Sequence, residues 1–197
     1  MNNSTIIEQR LKESIEVKQS LLTNKFLINT ISDLADTIAE CIKSDGKIII
    51  CGNGGSASDA LHFAGEIVGR FVKERRAWPA VVLNADVATM TAISNDYGYD
   101  EVFARQAEAH VKPGDVFFGI STSGNSENVY RAMQKSHEIG AVTCCLAGKI
   151  GGRISKIADY SIVVPSNVTA RIQECHICII HILCELVERK LANDEDC

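Results

Sequence analysis

The sequence predicts an α/β protein: a mainly parallel sheet of five strands sandwiched by helices, with two further helices ahead of it. Three observations carry that expectation. Short, continuously apolar runs rich in β-branched residues recur along the chain, the mark of strands covered on both faces. Helical patterns separate these runs, and such alternation builds parallel sheets. The 197 residues fit one domain with a core of its own, and no linker or low-complexity tract divides them.

The first 45 residues read as two helices. Thr5-Ile6-Ile7-Glu8 has the form of a capping box, and Ile7, Leu11, Ile15 and Leu22 follow at helical spacing. A second run carries Phe26, Ile31, Leu34, Ile38 and Ile42, with Gly46 placed as a C-terminal glycine. Lys47-Ile48-Ile49-Ile50-Cys51 is the first strand. Further strands are expected near 80–84, 115–120, 141–146 and 160–164, and a long final helix over about 169–191. The expected organisation is a single domain over 1–197 with a helical extension to about residue 45.

Bulk composition narrows the function. Apolar residues make up 46% and charged ones 23%, an ordinary globular balance. The formal charge of −5 comes without a basic block, which argues against a nucleic-acid or anionic-membrane partner. An anionic small substrate stays open, because backbone amides hold a phosphate whatever the global charge. The N-terminus lacks the basic start and apolar run of a signal peptide, and no stretch approaches the ~20 apolar residues of a membrane span. The eight cysteines are scattered; Cys51, Cys144, Cys145 and Cys178 lie in apolar runs and read as small buried hydrophobes. A cytoplasmic protein is expected.

Two strand ends look alike. Strand 47–51 runs into Gly52-Asn53-Gly54-Gly55-Ser56-Ala57-Ser58, and strand 115–120 into Ser121-Thr122-Ser123-Gly124-Asn125-Ser126. Each is a loop of small polar residues at the carboxyl end of a parallel strand, where open α/β sheets bind ligands. The second offers four hydroxyls at a helix N-terminus, which suits a phosphate. A plain helix cap needs only Asn125 or Ser126 and leaves Ser121, Thr122 and Ser123 unexplained. The first is no dinucleotide fingerprint, since its glycines fall as G-x-G-G and no P-loop lysine follows.

His62 and Glu66 lie four residues apart on one face of the next helix, a spacing that serves a metal ion, an acid–base pair or an ordinary surface contact. His181 sits in an almost wholly apolar run of the final helix, where the bland reading is a core histidine bonded to a backbone carbonyl. Cys175-x-x-Cys178 lacks the second ligand pair of a structural zinc site and the strand-to-helix position of a redox pair, so it reads as core.

Together, CGNGGSASDALHFAGE (51–66), AISNDYGYDEVFARQ (92–106), GISTSGNSENV (119–129) and VPSNVTARIQECHICIIH (164–181) resemble the sugar isomerase (SIS) domain family and its phosphoheptose isomerase branch. The resemblance spans nearly the whole chain. It implies a three-layer α/β/α sandwich, and a homotetramer with active sites at subunit interfaces. It also implies conversion of sedoheptulose 7-phosphate to the aldose D-glycero-D-manno-heptose 7-phosphate through an enediolate, the first step of nucleotide-activated heptose biosynthesis for a surface polysaccharide such as lipopolysaccharide or capsule. The resemblance implies substrate contacts from Asn53, Gly54, Gly55, Glu66, Asn95, Asp96, Ser121, Thr122, Ser123, Ser126 and Gln173. It implies zinc ligands at His62, Glu66, Gln173 and His181, with Glu66 and His181 as the acid–base pair. Leu61 departs from the family pattern, in which a polar residue often stands beside the histidine, but touches none of these roles.

Two alternatives share these motifs. One is a non-catalytic regulatory SIS protein of the replication-initiator-associating type, which lacks the pair equivalent to Glu66 and His181. The other is an isomerase for a different ketose phosphate, such as an arabinose 5-phosphate or hexulose 6-phosphate enzyme. Geometry adds one constraint. Gln173 and His181, eight residues apart on a straight helix, differ by roughly 12 Å in height and about 80° in azimuth. Joint ligation of one ion then requires an irregular helix start or a neighbouring subunit.

Overall fold

A computed structural model describes residues 2–192. Two helices come first, α1 (Asn3–Thr23) and α2 (Lys25–Lys43). There follow β1 (Ile48–Gly52), α3 (Gly55–Val68), β2 (Ala80–Val82), α4 (Val87–Tyr97), a 3-10 turn (Tyr99–Glu101), α5 (Val102–His110) and β3 (Val116–Ser121). The chain ends through α6 (Glu127–Ile139), β4 (Val142–Gly148), a 3-10 turn (Ile154–Lys156), β5 (Tyr160–Val164) and α7 (Thr169–Leu191). Every strand pairing is parallel, in the order β2-β1-β3-β4-β5. All five expected strands are present, and α7 spans the expected range. The second is shorter than expected because the chain leaves the sheet at Leu83, and the Asn84 side chain accepts the Gly52 N–H (3.2 Å).

Strands β1 and β3 are buried along their whole length, which is why their sequences are almost continuously apolar. Successive side chains still part to opposite faces. Ile48, Ile50, Val116, Phe118 and Ile120 pack with α2, α3 and α7, whereas Ile49, Cys51 and Phe117 pack with α5 and α6. The result is the expected three-layer sandwich.

The N-terminal helices depart from expectation in detail. Asn2, not Thr5, caps α1: its side chain accepts both the Thr5 N–H (2.9 Å) and the Thr5 hydroxyl (2.8 Å). Asn is a strong cap and stands three residues earlier, so the helix begins there. At the end of α2 the left-handed residue is Asp45 (φ 58°), and Gly46 instead donates its N–H to Cys41 O (2.8 Å). α2 buries Leu27, Ile31, Leu34, Ile38 and Ile42, but Phe26 at its start is 77% exposed. α1 has the expected apolar stripe, yet Ile7, Leu11, Ile15 and Leu22 are 59–65% exposed and no α1 residue is buried.

The described cysteines are free thiols; Cys51, Cys144 and Cys145 are buried, and desolvation pushes all three up. Cys178 is only half-buried, a departure from its reading as core. No helix among the described residues is long and apolar enough to cross a membrane.

Candidate functional site

The strand order places a switch point between β1 and β3. From β1 the chain crosses to β2 on one side, and from β3 to β4 on the other. The loops that follow these neighbouring strands meet at the carboxyl edge of the sheet, which is where open α/β sheets bind ligands. They are the two loops of small polar residues.

In the loop after β3, Ser121 Oγ lies 2.9 Å from Ser126 Oγ and 3.5 Å from Ser123 Oγ. Ser126 is the N-cap residue of α6, yet its hydroxyl makes no cap hydrogen bond. Asn125 does not cap either: its Oδ1 accepts the Arg153 N–H (3.1 Å). The plain-cap reading of this loop thus fails for both residues, although the Val129 N–H in the first turn of α6 is taken by Asn128 Oδ1 (2.9 Å). The loop's shape is held from the side. Gly124 (φ 66°) lies so close to the Gly151 carbonyl that a Cβ would overlap it, and its own carbonyl accepts the Ile154 N–H (3.0 Å). Thr122 and Ser123 are half-buried in the same turn.

The loop after β1 is tied across to α6. Asn53 and the buried Asn128 exchange side-chain hydrogen bonds (2.9 and 3.0 Å), and Tyr99 donates its hydroxyl to Asn53 Oδ1 (2.9 Å). Neither Asn128 nor Tyr99 was singled out from sequence, because amide pairs between distant segments leave no periodic trace. The exposed Asn95 and Asp96 end α4, where Asn95 Nδ2 donates to Asp96 Oδ1 (2.8 Å).

The third part is the seam between α3 and α7, which run side by side in the same direction. Gln173 lies against Gly55 at the start of α3, its Cδ 2.9 Å from where a Cβ would stand. Two turns on, His181 Nε2 is 3.0 Å from His62 Nε2, which is 3.1 Å from Glu66 Oε1. Donor atoms of His62, Glu66 and His181 all lie within 4.8 Å of one another. Donors around a tetrahedral ion with bonds of ~2.0–2.1 Å stand about 3.3 Å apart, so these three side chains fit one metal ion. Phe71 packs near the His181 ring, with centroids 5.8 Å apart.

α7 is one continuous helix, so an irregular start does not bring Gln173 to His181. Within this chain the two belong to different ends of the seam. The core-histidine reading also moves: it describes His176, which is wholly buried with Nε2 donating to Ala147 O (3.0 Å). Burial lowers His176 to about 4 and keeps it neutral. One further carboxyl stands by the cluster. Asp59, one turn before His62, has a buried Oδ2 without a partner, and desolvation raises it to about 6 against the pull of His62.

Comparison with known proteins fits this geometry. The SIS domain family model matches residues 13–148. The chain is 50% identical over 182 residues to a phosphoheptose isomerase of Aquifex aeolicus, covering 92% of this chain and 94% of that one. Among solved structures, it is 41% identical to the phosphoheptose isomerase of Neisseria gonorrhoeae, with a TM-score of 0.90 over 95% of this chain and 100% of that one. It is similar also to a phosphoheptose isomerase from Francisella tularensis, at 34% identity and a TM-score of 0.92 over 96% and 100%.

Proposed function

We infer the chemistry from one premise: this chain belongs to the SIS domain family and, within it, to the phosphoheptose isomerases. The substrate we assign is sedoheptulose 7-phosphate, and the product D-glycero-D-manno-heptose 7-phosphate. The observation that carries the reading is the convergence of Glu66, His62 and His181 on the seam of α7 with α3, the helix that grows out of one of the two small-residue loops, together with a serine loop whose N-cap residue makes no cap hydrogen bond.

A ketose becomes an aldose when a base takes a proton from C1, an enediolate forms, and the proton returns to C2. In our reading Glu66 moves the carbon-bound proton and His181 moves the proton between O1 and O2. Ser121, Thr122, Ser123 and Ser126 hold the phosphate. Asn53, Gly54, Gly55, Asn95, Asp96 and Gln173 contact the rest of the substrate, together with Glu66. We assign zinc to His62, Glu66 and His181, with Gln173 as a fourth ligand. When bound, such an ion supplies positive charge next to the substrate oxygens. The separation of Gln173 from the cluster supports a homotetramer in which a second subunit completes each site, and the exposed stripe of α1 supports the same assembly.

The test is turnover of a panel of ketose phosphates. Sedoheptulose 7-phosphate is expected to be isomerised fastest, and the isosteric Glu66→Gln to lower kcat roughly 10²- to 10⁴-fold with a far smaller effect on substrate binding. Wild-type protein that binds the sugar phosphate but isomerises none of the panel would establish a regulatory binder instead. Full activity after metal removal would take zinc out of the reaction.

A further inference from the structure

Beyond the candidate site, one buried charged cluster is not used by the chemistry above. The side chains of Arg75 and Glu188 are 1% and 3% exposed and meet at 3.1 Å, Nε to Oε1. Glu188 stands on α7 seven residues after His181, so both occupy one face. Its two oxygens also accept the backbone N–H groups of Phe71 (3.1 Å), Val72 (2.8 Å) and Lys73 (2.9 Å). Arg75 turns the other way. Its Nη2 donates to Glu66 O (2.8 Å) and its Nη1 to Ile67 O (3.0 Å), while the guanidinium lies 3.5 Å over the buried Trp78 ring.

Those carbonyls belong to the last turn of α3, which has no donors of its own. Arg75 therefore caps the helix end that carries Glu66, with its positive charge at the negative pole of the helix. Glu188 meanwhile fixes the stretch that seats Phe71 near the His181 ring. The contacts close a ring: Glu66 through the end of α3 to Arg75, across to Glu188, and back along α7 to His181. A buried ion pair is weak evidence for stability, since apolar side chains of similar volume often do as well. Apolar side chains have no donors for the Glu66 carbonyl and no acceptors for three loop amides.

We propose that the Arg75–Glu188 pair is a positioning device that sets the relative height of Glu66 and His181 across the α3–α7 seam. The inference rests on the reading of those two residues as the proton-moving pair. A displacement of about 1 Å between reacting groups costs up to roughly 100-fold in rate, so loosening the ring should appear in kcat rather than KM.

The experiment compares wild type, Arg75→Lys, Glu188→Gln and Glu188→Asp as the whole chain. The readouts are kcat and KM across pH, thermal midpoint, and the imidazole NMR signals of His181. Arg75→Lys keeps the charge but loses the fork. Expected for Arg75→Lys and Glu188→Gln is a fall in kcat of roughly 10- to 100-fold with KM changed less than about 3-fold, a displaced pH–kcat profile and a shifted His181 signal. Glu188→Asp keeps the charge but shortens its reach, and it decides the matter if the other variants do not fold; a shifted His181 signal and displaced profile are again expected. Unchanged profiles and imidazole signals, or activity losses that only follow the unfolded fraction, overturn the proposal. If wild type itself is inactive, the isomerase reading fails, and the His181 signal still decides whether the pair sets the imidazole.

Discussion

Gln173 occupies the space that a side chain on Gly55 would need. The overlap is with a flexible amide end and not with backbone, so Gly55→Ala should fold and push Gln173 aside. The expected result is a thermal midpoint within a few degrees of wild type and a KM for the sugar phosphate raised about 10-fold, equivalent to about 1.4 kcal/mol of lost contact. Steady-state kinetics beside a melting curve check this. An unchanged KM would remove Gln173 from the substrate's surroundings.

Ser126 is an N-cap that caps nothing. Ser-to-Ala at a working cap costs about 1 kcal/mol of stability. Ser126→Ala should cost clearly less, while inhibition by inorganic phosphate weakens about 10-fold. A stability loss of the full cap size with phosphate inhibition intact would return the loop to a structural role.

His176 gives a signed pH dependence. Its folded-state value, lowered by burial to about 4, lies below the ordinary 6.5. Between those values the unfolded chain binds the extra proton. Stability is therefore complete above about pH 6.5 and falls as the pH drops toward 4, by on the order of 3 kcal/mol across the window. His176→Gln keeps a donor for Ala147 O and removes the titration, so its melting temperature should depend less steeply on pH in that range. Equal slopes for the two proteins would refute the assignment.

The stripe of Ile7, Leu11, Ile15 and Leu22 on α1 faces outward along its length. A helix with such a face is stabilised by packing it against something. Leu11→Glu with Ile15→Glu should leave the sandwich folded and lower the oligomeric mass measured by light scattering, with activity falling as the assembly dissociates. A wild-type monomer of full activity would remove both the tetramer and the shared site.

The sheet was legible because buried parallel strands such as Ile48–Cys51 advertise themselves as unbroken apolar runs, and α7 because its long helical pattern persists from Thr169 to Leu191. Residue spacing pairs His62 with Glu66 but cannot bring His181 to them, since that contact joins residues 119 positions apart. Two imidazoles in the same apolar run, His176 and His181, are alike in sequence; only the azimuth of α7 against the sheet separates the core one from the one in the site. Arg75 and Glu188 stayed invisible because each, read locally, is an ordinary charged residue. The Thr5 capping box and the Gly46 terminus failed for a simpler reason, in that nearby Asn2 and Asp45 serve the same purposes.

The contact between Gly124 and Gly151 has a consequence for redesign. The turn that holds the four hydroxyls takes its curvature from the segment after β4, through Gly124 O to Ile154 N–H and Asn125 Oδ1 to Arg153 N–H. The two segments form one exchangeable part. Grafting residues 121–126 alone onto a related scaffold would transplant the letters without the template that bends them, whereas moving 121–126 and 149–155 together would carry the turn intact.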